Sequence, residues 1–162
     1  MSVAARTQLA AQQAAVVTAL VSNGIVPDGF DAQRLHVTAK SLLRKRCRAA
    51  AQAWPSLACD LGSGFRERFA NFAATTPLPS LGGPLADGRE FADWLGNQGP
   101  LSEAAELQRL AVDLRFARSA AGLKPRRTAT IQLAWLSQPR RLVIALRWPR
   151  FGERWFTIRL GR

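Results

Sequence analysis

The sequence predicts an α+β protein, with an N-terminal helical bundle of five to six helices followed by a small three-stranded antiparallel sheet. Two observations support this prediction. Apolar residues recur at helical spacing as far as Gly122 and alternate with a period of two after it. The charge divides at the same position, because residues 122–162 contain ten Arg or Lys and one acid, net +9, whereas residues 1–121 carry net +3. We therefore expect a helical domain over 1–122 and a β-sheet module over 123–162.

The composition is that of a folded protein with an acidic partner. With 48% hydrophobic and 21% charged residues, a chain of 162 residues can bury a substantial core. The net charge of +12 favours nucleic acid, anionic lipid or an acidic polypeptide as partner. No apolar run approaches the roughly 20 residues that cross a bilayer, and the N-terminus lacks the basic-then-apolar pattern of a secretion signal. We expect a cytoplasmic protein without a membrane partner.

Two long helices begin the chain. The first is predicted over residues 3–22, with Ser2 as its N-cap. The second begins after Asp31, another capping residue, and continues to about Ala53. It ends there because the residue before Pro55 is disfavoured in helical conformation.

Two shorter helices are predicted next. Pro55 begins a helix that Gly62 ends, since Pro is tolerated at the first helical position and Gly is common after the last. The following helix, over about 64–74, has one buried face with the spacing i, i+4, i+7 and i+8. The residues of this face are Phe65, Phe69, Phe72 and Ala73.

A Pro- and Gly-rich loop is predicted over residues 75–88. Its length of about fourteen residues exceeds most connections in compact domains, and such loops are often functional. Asp87 and Glu90 resemble a capping box that begins the next helix. A last long helix is expected from Ser102 to Gly122.

Three strands are predicted within residues 128–135, 140–148 and 154–160, joined by turns that contain Pro or Gly. Their apolar positions share one face of the sheet. These positions are Ala129, Ile131, Leu133, Trp135, Leu142, Ile144, Leu146, Trp148, Phe156, Ile158 and Leu160. Because three strands are stable only when a face is covered, we expect this apolar face to pack on the helices and the polar face to be open.

The basic run "RKRCR" does not form one basic surface. At about 100° per residue, Arg44 and Arg48 project away from the apolar stripe, whereas Arg46 falls inside it with Leu42 and Ala50. A buried Arg must be paired with a carboxylate or with carbonyls. It serves either as a structural pair within the bundle or as a guanidinium at a partner interface. A DNA-reading helix is disfavoured, because it would display its Arg residues together.

The residues that could support catalysis or metal binding are few. The chain has one histidine, His36, and two cysteines, Cys47 and Cys59, at a spacing that fits no metal or redox motif. No phosphate-binding loop follows a predicted strand. The sequence therefore predicts no catalytic residue and no metal site. A small hydrolase or reductase using one of the cysteines is an alternative.

The polar face of the predicted sheet is the candidate binding surface, because it combines hydrogen-bonding, cationic and aromatic groups. Its residues are Thr130, Gln132, Arg147, Trp155 and Arg159. Such a surface could stack and neutralise single-stranded nucleic acid. Alternatively, a free sheet edge could accept a peptide strand whose acidic residues meet the arginines. Short turns and the absence of an RNP-type aromatic pattern favour the peptide, with nucleic-acid binding as the alternative.

Several segments in a fixed order resemble a known family. They include "LLRKRCRAAAQAWPSLACDLGSGF", "DGREFADWL", "ELQRLAVDLRFA" and "RRLVIALRWP", and the resemblance extends from about Val26 to Leu160. The chain is similar to the partner proteins of the multinuclear non-heme iron-dependent oxidative enzymes. These bacterial enzymes modify ribosomally made peptides, often at cysteine, and the methanobactin and 3-thiaglutamate partner proteins belong to this class.

The resemblance implies a helical domain and a small β-domain without catalytic residues or a cofactor of its own. It implies a heterodimer with an iron-bearing barrel enzyme, to which related partner domains can be fused. The partner protein holds the leader of a precursor peptide so that the core cysteine reaches the iron. The helical domain would then contact the enzyme, and nucleic acid would be an unlikely partner. The expected interface residues are Arg46, Trp54, Pro77, Pro79 and Trp94.

Overall fold

A computed structural model of the chain describes residues 2–22, 30–137 and 140–159. In this part of the chain, α-helices precede antiparallel β-structure, which confirms the predicted α+β fold. A single 3₁₀ turn, Gly62–Gly64, separates the third helix from the fourth. The helices are α1 (Val3–Ser22), α2 (Ala32–Ala53), α3 (Pro55–Leu61), α4 (Phe65–Thr75), α5 (Gly83–Gly96) and α6 (Glu103–Arg115).

The strands form a hairpin and a three-stranded meander. They are β1 (Phe116–Ser119), β2 (Gly122–Pro125), β3 (Thr130–Ser137), β4 (Arg140–Trp148) and β5 (Gly152–Arg159). The hairpin pairs β1 with β2, and the meander has the order β3-β4-β5 with antiparallel neighbours. Across the meander, Leu133 lies opposite Ile144, which lies opposite Phe156. Strands β3 and β5 are therefore the two edges of this sheet.

The chain divides into two compact units, residues 1–49 with 66–78, and residues 50–65 with 79–162. The second unit contains α3, α5 and α6 together with both sheets. These units do not coincide with the domains predicted over residues 1–122 and 123–162. The domain boundary itself stays a prediction.

In the first unit, side chains cap the two long helices as predicted. The Ser2 hydroxyl accepts a hydrogen bond from the Ala5 amide at 3.3 Å, and Asp31 Oδ1 accepts one from the Gln33 amide at 2.9 Å. Each cap satisfies an amide of the first helical turn that has no partner within the helix. The starts of α1 and α2 are thus determined by local sequence.

Trp54 is the largest fully buried side chain of the second unit. The side chain is fully buried, and its Nε1 donates a hydrogen bond to the Leu85 carbonyl at 2.9 Å. Gly88 of α5 lies against the indole so closely that a Cβ atom there would be 2.0 Å from Trp54 Cδ1. Gln108 of α6 donates to the Ala53 carbonyl at 2.9 Å, which ties the end of α2 to α6. The Trp-Pro step therefore ends a helix and also organises the core.

A buried ion network joins α5 to α6. The guanidinium of Arg89 is almost fully buried, and its Nε and Nη2 donate to the two carboxylate oxygens of Asp113, each at 2.7 Å. It also contacts Asp93, which is 2.8 Å from Arg118. Burial alone would lower the pKa of Arg89, but the hydrogen bonds that Arg89 donates to Asp113 and Asp93, together with their negative charges, outweigh burial and raise the pKa. The charge is therefore retained inside the protein.

The prediction of a loop over residues 75–88 is wrong for its second half, which is helical. Helix α5 begins at Gly83, with Pro84 in its first turn and Gly82 as N-cap in a left-handed conformation, φ 86°. Pro is suited to this position because its missing N–H would have no helical partner there. Asp87 is consequently a fully buried residue inside α5 and does not cap it.

Helix α6 is shorter than predicted, because the chain turns back in the β1–β2 hairpin. Ser102 caps the helix as expected, but α6 ends at Arg115. The Leu81 amide donates to the Ala121 carbonyl at 2.7 Å, and the Leu123 amide donates to the Leu81 carbonyl at 3.2 Å. At Gly122, φ is 122° and a Cβ atom would lie 2.0 Å from the Leu81 carbonyl oxygen. Glycine is therefore required in the hairpin, and Gly122 does not end a helix.

The expectation about which sheet face is buried is also wrong. The face that packs on α6 forms a cluster with Leu110 and Leu114, and its sheet members are Ala134, Leu136, Val143 and Ala145. The apolar face with Ile131 and Leu133 is exposed instead. This face is buried because its small side chains, Ala134 and Ala145, leave room for Leu110 and Leu114 between helix and sheet. Larger side chains at these positions would hold the helix away.

Candidate peptide-binding site

The five predicted binding residues lie on one face of the meander, the face towards α6. Thr130 is opposite Arg147, and Gln132 is opposite Ala145, which is in turn opposite Trp155. Directly opposed residues share a face. Thr130, Gln132 and Arg147 are half-buried, whereas Trp155 and Arg159 on the edge strand β5 are exposed. The face is therefore accessible mainly along β5.

Arg147 is held by groups within the chain. Its Nη1 donates to the Arg126 carbonyl at 3.0 Å, and its Nε is 3.9 Å from Glu153 Oε1. Glu153 also accepts two hydrogen bonds from Arg115, at 2.7 and 2.9 Å. In contrast, Arg159 has no carboxylate within ion-pair distance among the described residues. Arg159 is thus the more available cation of the two for a ligand.

The pKa of Glu153 is held below its ordinary value. The hydrogen bonds donated by Arg115 are the largest cause, and burial, the second largest, opposes them. The positive charges of Arg115 and Arg147 add to the effect. The same contact raises the pKa of Arg115. Glu153 therefore remains ionised and joins the end of α6 to β5.

We expect Glu153→Gln to lower the free energy of unfolding at neutral pH by about 1 kcal/mol or less, since the pair is partly exposed. A carboxylate with a lowered folded-state pKa contributes stability above its unfolded pKa, near about 4.3, and loses it as pH falls through the folded pKa. Urea denaturation from neutral to acid pH should show wild type and variant converging at low pH. A difference that is independent of pH would contradict this role.

A cleft beside β3 adds a feature that the sequence did not predict. It has a volume of about 440 Å³ and adjoins the edge of the meander. Its lining residues are Pro100, Leu101, Ser102, Glu103, Glu106, Trp135 and Leu136. Glu106 is paired with Arg109 at 2.6 Å, and Glu103 is paired with Arg141. With both carboxylates neutralised, the cleft suits an apolar side chain of a ligand that runs along β3.

The residues predicted at an enzyme interface are divided between the two units. Arg46 and Pro77 belong to the first unit, and Trp54, Pro79 and Trp94 to the second. Pro77 is exposed, and Pro79 and Trp94 are half-buried. Trp54 is in the interior, so it has a structural role in the core. The interface itself stays a prediction.

Arg46 lies where the helical pattern predicted, and it is paired with a carbonyl. Its Nη2 donates to the Thr76 carbonyl at 3.0 Å, and its guanidinium carbon is 5.7 Å from the ring centres of Phe69 and Phe72. Cation–π attraction adds to the hydrogen bond in this apolar setting. Arg44 and Arg48 are exposed, as predicted.

Three further observations concern metal-binding groups, cysteines and membrane-spanning helices. No three His, Cys, Asp or Glu side chains of the described ranges are grouped so that they could hold a metal ion. Cys47 is half-buried and Cys59 is exposed, and they form no disulfide with each other. None of the helices in the described part of the chain is long and apolar enough to cross a membrane.

Comparison with known proteins identifies the family. Residues 10–97, just over half of the chain, match the family described as SCO6045-like, C-terminal domain, and the chain belongs to this family. It is also 38% identical over 106 residues to a UPF0276 protein of Streptomyces avermitilis. That alignment covers 65% of this chain but 21% of the relative, so the chain spans about a fifth of the length of the curated relative it matches. No solved structure matches the chain.

Proposed function

We propose that this protein is a non-catalytic partner that binds the leader of a ribosomally made precursor peptide and presents the peptide to a multinuclear non-heme iron oxidative enzyme. The main observation in support of this proposal is that β3 is an edge strand beside an apolar cleft, within a strongly basic part of the chain. The sequence resemblance to such partner proteins supports the same function. The iron would belong to the enzyme, and the complex would form in the cytoplasm, where the peptide is made.

The comparisons support a module that acts beside a larger protein. The family is described as a C-terminal domain, and about four fifths of the relative lie outside its alignment with this chain. A domain that is joined to a larger chain in one protein can form a complex with a separate chain in another. We therefore propose a heterodimer with the enzyme.

The edge of β3 can bind an extended peptide through its backbone. An edge strand has amide and carbonyl groups that no neighbouring strand pairs, and an added strand pairs them without requiring a particular sequence. One side chain of the added strand would enter the cleft at Leu101 and Trp135. Arg159 lies on β5, two strands from this edge, so acidic residues of the leader that continue across the end of the sheet would reach it. Affinity would come from the backbone, and selectivity from the cleft and the charge.

Binding of this kind would accelerate the reaction by positioning. A peptide held on the partner protein has a high effective concentration at the enzyme, in the millimolar range for a short flexible connection. Fixing the reacting groups also removes part of the entropic barrier. No residue of this chain needs to contact the reacting atoms.

Arg159→Glu should weaken the affinity of the protein for the precursor peptide by about tenfold. The substitution removes a positive charge that would attract the acidic ligand and puts a negative charge in its place. The measurement is fluorescence anisotropy with the labelled precursor peptide encoded beside the candidate enzyme. Arg34→Glu is the matched control, since it makes the same charge change at an exposed position of the first unit. It should alter the affinity by less than about twofold.

Two outcomes would contradict the proposal. One is an equal loss of affinity in both variants, which would show general electrostatic attraction to a basic protein. The other is failure of the wild-type chain to form a complex with the enzyme on co-expression.

Nucleic-acid binding is the second candidate, because α2 and α4 expose further basic side chains. They are Arg44, Lys45, Arg48, Arg66 and Arg68. A nucleic-acid complex would weaken steeply with salt, in proportion to the number of phosphates neutralised. Titration of a single-stranded oligonucleotide at several salt concentrations distinguishes this function from peptide binding.

A further inference from the structure

The outward face of the β3–β4–β5 meander is an exposed apolar surface, which we call the open face. Its apolar members are Ile131, Leu133, Trp135, Leu142, Ile144, Leu146, Trp148, Phe156 and Ile158. Ile131 is 65% exposed, Leu133 61% and Phe156 52%. Monomeric proteins rarely expose a contiguous apolar surface of more than a few hundred Å² unless it binds something. The open face therefore requires an occupant.

The dimensions of the open face fit one α-helix. The strands have eight or nine residues each, so the three-stranded surface measures roughly 26 Å by 14 Å. A helix is about 10 Å across and rises about 1.5 Å per residue, so a helix of about 17 residues would cover it. The opposite face of the same sheet packs on α6, a helix of 13 residues. Helix on sheet is thus the packing that this sheet already uses.

The charge on the open face selects an acidic occupant. Arg140 and Arg154 lie on this face, opposite Ser137 and Leu146, and both are exposed. Neither lies within ion-pair distance of a carboxylate of the described residues. The face itself contains no acidic residue. A partner with Glu or Asp beside its apolar stripe would neutralise both arginines.

A second copy of this chain fits the open face poorly. It would bring two more arginines and another strongly basic module against the first, where like charges repel. The footprint, roughly 360 Å², is also well below the ~800 Å² per partner that a stable interface of standard size buries. A helix that is part of a larger interface does not have this restriction.

We propose that the open face docks one amphipathic helix of the partner enzyme, with its apolar stripe on the sheet and its acidic flanks towards Arg140 and Arg154. Trp135 and Trp148 lie near opposite ends of the face and would anchor the two ends of the helix. This inference rests on the proposed function, because the leader is assigned to the edge of β3 and the enzyme remains to cover the face.

The docking chemistry can be tested with two synthetic helical peptides of about 17 residues that share a leucine stripe. One has glutamate flanks and the other lysine flanks. The glutamate peptide should bind at least about tenfold more tightly, and Trp135 and Trp148 should shift their fluorescence to shorter wavelength on burial. Arg154→Gln should reduce this preference. Equal binding of both peptides, or no binding, would overturn the inference.

The same surface can be tested in the complex with the candidate enzyme. Leu133→Gln with Phe156→Gln changes two exposed positions that lie in one row across the sheet. Leu9→Gln is the control, because Leu9 is also exposed and lies on α1, which has none of the residues predicted at the enzyme interface. The double variant, with folding verified by circular dichroism, should lose the enzyme complex in size-exclusion chromatography. It should keep wild-type affinity for the precursor peptide.

The outcomes separate this inference from the proposed function. A complex that survives the double substitution overturns helix docking, while the peptide-binding proposal stands. Loss of peptide affinity instead of the complex shows that the precursor occupies the face and also overturns the inference. So does a wild-type homodimer that the double substitution dissociates, because the occupant is then a second copy. If the wild type binds the peptide but never the enzyme, the proposed presentation function fails.

Discussion

Replacing Gly88 by alanine should lower the free energy of unfolding by about 3 kcal/mol, the upper part of the range for overpacking a core. The added methyl carbon would lie 2.0 Å from Cδ1 and 2.4 Å from Nε1 of Trp54. The indole is fully buried, so it cannot move aside without displacing its neighbours. Its movement would also break the hydrogen bond to Leu85 and leave a buried donor without a partner.

Gly96→Ala is the matched control for this prediction. Gly96 ends the same helix, and a Cβ atom there would meet nothing within 4 Å. Alanine has the higher helix propensity, so this variant should be as stable as wild type or slightly more stable. Urea denaturation of both variants measures the difference. If Gly88→Ala unfolds at the wild-type urea concentration, α5 does not pack on Trp54 as described.

Asp113→Asn should lower the free energy of unfolding by about 3 kcal/mol, because it removes one of the carboxylates that pair with the buried guanidinium of Arg89. Arg89 is 5% exposed and directs two of its nitrogens to Asp113. Asparagine keeps the size of the side chain but removes the negative charge, so the effect reports the charge and not a cavity. Asp93 would remain, but it is shared with Arg118.

The comparison for this prediction is an exposed ion pair. Arg34 lies 3.4 Å from Asp31 with 90% of its side chain exposed, so Arg34→Gln should cost less than about 1 kcal/mol. Both variants can be measured by urea denaturation at neutral pH, with the slope of the transition as a check on two-state behaviour. Similar small losses in the two variants would show that the Arg89 network is solvated in solution.

The parts of the fold that were predicted correctly depend on short-range signals. Ser2, Asp31 and Ser102 cap helices because a side-chain oxygen next to the first turn satisfies its free amides. The alternation in residues 140–148 defined β4 with its observed bounds. In each case the stabilising partner lies within a few residues in the sequence. Such signals can be read without knowledge of the rest of the protein.

The sheet shows where such a reading stops. Alternation established correctly which residues share a face, but it could not show which face meets α6. Hydrophobicity favoured the face with Ile131 and Trp135, whereas the observed packing depends on the small volumes of Ala134 and Ala145. Shape complementarity between elements is a property of three dimensions, and a single sequence does not contain it in readable form.

The site features that were missed have the same origin. The Arg89–Asp113 pair joins residues 24 positions apart, and the cleft brings Leu101 next to Trp135. No local sequence motif indicates either arrangement. The start of α5 differs, because Pro84 after two glycines is a local signal for a helix start, although the loop predicted over residues 75–88 includes it.

The order of the strands has a consequence for how the protein folds. Each pairing in the β3-β4-β5 meander joins neighbours in the sequence, so only short loops must close and little chain entropy is lost. The contacts around Trp54 are different, since its hydrogen bond to Leu85 spans 31 residues and that of Ser56 to Gln108 spans 52. Closing these long segments costs more chain entropy. We therefore expect assembly of the helical core around Trp54, and not formation of the sheet, to limit the rate of folding.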